Sequence, residues 1–173
     1  MSSRHVVFSH GKESGPWGTK ILALAEVARA AGHTVESIDY RGIESPIARS
    51  ERLVEACRAL PGAPVLVGSS LGGFVALAAA AAMPVSGLFL MAPALFVPGL
   101  PPLPATLPPV PLAIVHGWHD EIVPWEDSLK FAQERRAALH LLDADHGLHG
   151  PLPEICALLA QFLALLDAPV GSG

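Results

Sequence analysis

The chain has 173 residues, 51% of them hydrophobic and 16% charged, with a formal net charge of −5. That length suits a single domain over residues 1–173 with a sizeable core, and the composition excludes intrinsic disorder. The acidic balance, with no run of Lys or Arg, gives no electrostatic footprint for nucleic acid or an anionic membrane.

In chain order, His5 to Ser9 reads as a first strand, followed by a Gly-rich loop. A helix is predicted over about Trp17 to Ala31, stopped by Gly32, and a second strand over Thr34 to Ile38. Pro46 falls in the first turn of a second helix that ends before Pro61-Gly62. Pro64 to Gly68 is a third strand, turning tightly into an Ala-rich helix over Gly72 to Met83. Further strands are expected at Ser86–Met91, Leu112–Val115 and about Leu139–Leu142, with helices near Trp125–Arg136 and Pro153–Leu166. The tail from Ala168 to Gly173 is expected to fray. Short strands alternating with helices imply an α/β three-layer sandwich. The expected sheet is parallel and six-stranded, in order 2-1-3-4-5-6, with helices on both faces.

Two stretches depart from that rhythm. No Asp, Glu, Lys or Arg occurs between Arg58 and Asp120, but Pro61, Pro64, Gly68, Gly72, Gly73, Pro84 and Gly87 cut the run. A membrane span needs about 20 strongly apolar residues, so buried core is the better reading. Pro93 to Pro111 carries eight of the 17 prolines and suits neither regular helix nor a central strand. Its interleaved apolar residues point either to a stiff connection over the end of the sheet or to a short lid or pocket wall. The N-terminus lacks the apolar run of a secretory signal. Cys57 and Cys156 are too few for a disulfide framework and read as inert helix residues, so a cytoplasmic setting is expected.

The strongest chemical signal is Gly68-Ser69-Ser70-Leu71-Gly72, set between a strand and a helix. A nucleophile on such a turn occupies strained backbone space, so the residues two before and two after it must be small. Ser70 meets that condition; Ser69, flanked by Val67 and Leu71, does not. A serine needs a general base, and the base an orienting acid. Asp120 follows the fifth strand and His146 the sixth, so all three lie beyond carboxyl ends of parallel strands, where open α/β sheets place their sites. The order Ser70, Asp120, His146 is that of one hydrolase architecture.

Four motifs, His10-Gly11, the Gly68–Gly72 turn, Gly117-x-x-Asp120-x-x-Val123-Pro124 and Asp145-His146-Gly147, together span nearly the whole chain. Through them the sequence resembles the α/β-hydrolase superfamily, close to its small, lidless, dienelactone-hydrolase- and esterase-like members. The resemblance implies Ser70 as nucleophile, Asp120 as acid and His146 as base. It also implies an oxyanion hole from the backbone N–H groups of Leu71 and Lys12. With no cap domain, the substrate class is not inherited. The expected activity is hydrolysis of a carboxylic ester or thioester on a small-molecule acyl substrate, with no cofactor and no metal. The same triad would serve a peptidase or an acyltransferase, and the fold alone would serve a binding protein.

Rivals exist for each position. His149 competes with His146, and Glu121, Asp143 and Asp145 with Asp120; Asp145 suits a turn former better. His116, His119 and the neighbouring carboxylates could be assembled into a zinc site, but no metal-ligand spacing supports it. Trp17, Trp118 and Phe96 are candidates for the acyl pocket, although aromatic packing accounts for the tryptophans, Trp125 included, equally well.

Overall fold

The computed structural model describes residues 3–168; the part of the tail at 169–173 lies outside them. The elements are β1 (His5–Ser9), α1 (Thr19–Ala30), β2 (Thr34–Ile38), α2 (Pro46–Arg58), β3 (Val65–Ser69) and α3 (Leu71–Ala80). Then follow β4 (Gly87–Met91), β5 (Leu112–Gly117), α4 (Trp125–Arg135), β6 (Ala138–Leu142) and α5 (Leu152–Asp167). All six strands are parallel in the order β2-β1-β3-β4-β5-β6. The largest boundary difference from the sequence reading is α3, which ends at Ala80 rather than Met83, while β5 runs on two residues through His116 and Gly117.

The period of two along each strand sorts side chains onto two faces. Val7, Leu66, Leu88, Leu90 and Ile114 pack with α2, α3 and α4. Their strand neighbours Val6, Phe8, Val65, Val67, Phe89, Met91, Ala113 and Val115 pack with α1 and α5. Central strands buried on both faces need apolar residues throughout, which explains the uncharged middle of the chain. Edge strand β2 instead exposes Thr34 and Glu36. Among the described residues no helix is long and apolar enough to cross a membrane.

The Pro-rich segment joins β4 to β5 and is neither loose nor regular. Leu100, Leu103, Leu107 and Val110 pack against the α2–α3–α4 core. The Arg135 guanidinium donates to the Pro104 carbonyl at 3.1 Å, and the Lys130 ammonium lies 4.4 Å from the Phe96 ring centre. Apolar burial and the α4 clamp hold the segment against this face of the sheet, from the carboxyl end of β4 to the amino end of β5.

Candidate active site

Ser70 sits between β3 and α3 with φ 54° and ψ −120°, backbone space that an L-residue enters only under constraint. Its neighbours supply that constraint. The Ser70 N–H donates to the Met91 carbonyl at 2.9 Å, and the Ser70 carbonyl accepts from Gly73 at 2.9 Å and Ala94 at 3.0 Å. A methyl on Gly68 would lie 2.6 Å from the Gly72 carbonyl oxygen, and one on Gly72 would overlap the Ser9 carbonyl. The turn therefore closes only with glycine on either side of the serine.

Asp120 and His146 come to Ser70 from the loops after β5 and β6. His146 Nε2 accepts from Ser70 Oγ at 3.0 Å, and its Nδ1–H donates to Asp120 Oδ2 at 2.6 Å. The other Asp120 oxygen, Oδ1, accepts from the Ile122 and Val123 amides at 2.9 and 2.8 Å. Burial alone would favour the neutral acid. The Val123 amide, His146 and the Ile122 amide together outweigh it and hold the carboxyl below its ordinary value. The imidazole loop is pinned as well. Asp145 accepts from the Gly147 amide at 3.0 Å, as a turn former does, buried Leu148 anchors the loop below, and the Lys20 ammonium donates to the Gly147 carbonyl at 3.3 Å.

The rival residues go elsewhere. His149 borders the groove beside Ser70 but makes no hydrogen bond to it. Asp143 pairs with His119 at 2.8 Å on the exposed surface. His116 and His119 take different partners, and among the described residues no three His, Cys, Asp or Glu side chains are grouped to hold a metal. Cys57 is buried, which pushes its thiol up to about 11, while Cys156 is only half-buried.

One contributor was not visible in the sequence. His116, fully buried at the end of β5, donates from Nε2 to Asp120 Oδ2 and the Val123 carbonyl, each at 3.0 Å. Its Nδ1 accepts from Ser128 Oγ at 2.7 Å, and burial keeps the ring's pKa below normal despite Asp120. Asp120 is thereby gripped by two imidazoles. The available signal was a lone polar residue in an apolar strand, since a buried imidazole requires partners.

A groove of about 730 Å³ opens at Ser70, walled by Ile21, Leu71, Val97, Leu100, Ile122 and Val123. The proposed pocket aromatics are not in it, and that expectation is corrected. Trp17 is exposed under Arg29, Trp118 stacks edge-on against Trp125 in a separate hollow, and Phe96 faces Lys130. Proximity to a βα loop in sequence did not specify which side of the loop each ring would take. The apolar wall comes instead from aliphatic residues, Val97 to Leu100 of the Pro-rich segment among them. At the mouth, the N–H groups of Leu71 and Lys12 have no hydrogen-bond acceptor among the described residues.

Comparison with known proteins agrees with this architecture. The family model described as "Alpha/beta hydrolase family" matches residues 6–171. A protein from Xanthomonas campestris pv. campestris, described as a hydrolase of the alpha/beta superfamily, is 37% identical with a TM-score of 0.87, over 93% of this chain and 98% of that one. Alpha/beta hydrolase domain-containing protein 10 from mouse shares the fold at 21% identity, with a TM-score of 0.78 over 95% of this chain and 91% of that one. An esterase from Mycobacterium tuberculosis is 39% identical over 89 residues, 48% of this chain and 30% of its own length. The chain thus matches less than a third of that curated relative.

Proposed function

This chain belongs to the alpha/beta hydrolase family, and on that premise we propose that it is a serine hydrolase cleaving a carboxylic ester or thioester through an acyl-enzyme on Ser70. One observation carries the reading: the unbroken hydrogen-bond run Ser70–His146–Asp120, at 3.0 and 2.6 Å, at the mouth of an apolar groove. His146 Nε2 takes the Ser70 proton as Oγ attacks the acyl carbon, then returns it to the leaving group. The Asp120 carboxylate fixes the tautomer with hydrogen on Nδ1 and offsets the imidazolium charge. The tetrahedral oxyanion is received by the Leu71 N–H, at the start of α3, and by the Lys12 N–H. Water then repeats the sequence on the acyl-enzyme, with His146 as its base. In this reading residues 1–173 act as one catalytic domain on a small-molecule acyl substrate, with the Pro-rich segment as a groove wall.

Labelling with a fluorophosphonate probe, followed by mass mapping, tests the proposal. The expected result is one adduct on Ser70, absent in Ser70→Ala and strongly slowed in His146→Ala. A folded wild-type protein that takes no label at Ser70 would overturn it.

A further inference from the structure

Behind the mouth of the groove lies a buried polar network. His10, Tyr40 and Arg49 are 0%, 0% and 3% exposed. Arg49 is the informative member, because no carboxylate pairs with it among the described residues. A buried guanidinium without a counter-ion is costly, so its hydrogen bonds have to carry the compensation. They go to two backbone carbonyls. Arg49 Nε donates to the Ile43 carbonyl at 2.7 Å and Nη1 to the Gly11 carbonyl at 3.2 Å, while the guanidinium stands 5.4 Å from the Tyr40 ring centre.

The Gly11 carbonyl has a second donor. His10 Nε2 accepts the Tyr40 N–H at 2.9 Å, so the ring hydrogen is on Nδ1, which donates to the Gly11 oxygen at 2.8 Å. Tyr40 is fixed in turn by its hydroxyl, which donates to Ser9 Oγ at 3.0 Å. One peptide oxygen is therefore held by two buried, hydrogen-bonded side chains.

A peptide unit is planar, and no peptide bond among the described residues is cis. Pinning the Gly11 oxygen therefore fixes the Lys12 N–H on the opposite edge of the same plane. That edge is near the chemistry: a methyl built on Gly11 would lie 3.4 Å from Ser70 Cβ, and Lys12 borders the groove. We propose that Arg49 and His10 are positioning residues for the acyl oxygen site, acting through the Gly11–Lys12 peptide to aim the Lys12 N–H at the oxyanion formed on Ser70. The proposal rests on the serine-hydrolase reading and extends it to residues that never touch substrate. Arg49 does more than orient. Charge-assisted donation to the carbonyl polarises the peptide and strengthens its N–H as a donor.

The test is a mutant cycle on the full chain with an activated acyl ester. Loss of one oxyanion donor costs about 10²–10³ in rate. Lys12→Pro, which deletes the N–H, is expected to lower kcat by about 10²-fold. Arg49→Gln is expected to approach that loss with KM changed less than about threefold, and to weaken binding of a trifluoromethyl ketone by a similar factor. Arg49→Lys recovers part of the rate, since it keeps a charged donor. In the Lys12→Pro background, Arg49→Gln adds less than about twofold, because the N–H it would aim is gone. A folded Arg49→Gln protein with wild-type kcat overturns the proposal, as does a loss that multiplies in full with Lys12→Pro. If Arg49→Gln does not fold, Arg49→Lys takes its place in the cycle: a kcat loss that disappears in the Lys12→Pro background supports the role, and one that persists removes it. Fluorophosphonate labelling of the wild type separates the two readings. An unlabelled wild type ends the serine-hydrolase reading; a labelled one with an insensitive Arg49 ends only the positioning role.

Discussion

The Asp120 carboxylate donates nothing and receives from four groups: two loop amides on Oδ1, and His146 and His116 on Oδ2. Replacing it with asparagine keeps the shape but removes the charge, and turns one acceptor into a donor facing two imidazole N–H groups. Asp120→Asn is expected to fold while kcat falls by about 10⁴-fold, because the base loses its tautomer and its counter-charge. Circular dichroism and an ester assay would check both halves, and near-normal turnover would shift the acid role to another carboxylate. Stability carries a matching signature. A carboxyl held below its ordinary value in the folded state stabilises the protein above the carboxylate range and stops doing so as acid protonates it. The stability gap between wild type and Asp120→Asn is therefore expected to narrow as pH falls from about 6 to about 3, as read by urea denaturation. Ser70, Asp120 and His146 could be found in the sequence because each sits in a short motif with its own backbone demand. His116 and Arg49 could not, since what they do depends on Ser128, Val123, Ile43 and Gly11, partners that only the tertiary fold brings near.

Elements were legible to the extent that their reason was local. The short apolar runs of β1, β3, β4 and β5, the proline opening α2 and the glycines of the β3–α3 turn all belong to short stretches of chain. Other glycines matter for reasons that the sequence conceals. A methyl on Gly117 would overlap the Ala144 carbonyl, because the strands β5 and β6 release their loops side by side. Gly150, by contrast, has nothing within 4 Å of a built methyl. Gly72→Ala, which would drive a methyl into the Ser9 carbonyl, is expected to destabilise the fold by about 3 kcal/mol or more. Gly150→Ala is expected to stay within about 0.5 kcal/mol of wild type. Denaturant midpoints of the two variants, measured side by side, would test the argument; equal midpoints would mean that the β3–α3 turn relaxes where we hold it rigid.

For the molecule as a whole, the parallel sheet covered on both faces follows from strand–helix alternation, while the groove does not. Its aliphatic wall is contributed in part by Val97, Pro98, Gly99 and Leu100, from a segment whose prolines exclude regular structure without saying where it packs. That placement comes from burial of its leucines and from the Arg135 clamp. Substrate range becomes testable through it. Val97→Trp fills part of the groove and is expected to lower kcat/KM for medium-chain acyl esters by about tenfold or more relative to acetyl esters, one lost methylene contact counting for about 1–3 kcal/mol. Equal losses on both would put the acyl chain elsewhere.

The parallel register has a consequence for how the protein acquires its chemistry. No two neighbouring strands are joined by a hairpin, so every pairing waits for a crossover to wrap over the sheet. Such topologies order late and slowly, because chain closure precedes the contacts that reward it. Ser70 and His146 follow the carboxyl ends of β3 and β6, with two strands between those in the sheet. On the proposed reading, the strained turn at Ser70 is a local feature of β3 and α3, whereas its base arrives only with β6, so a chain in which β6 has not docked carries the serine turn without His146 and stays inactive.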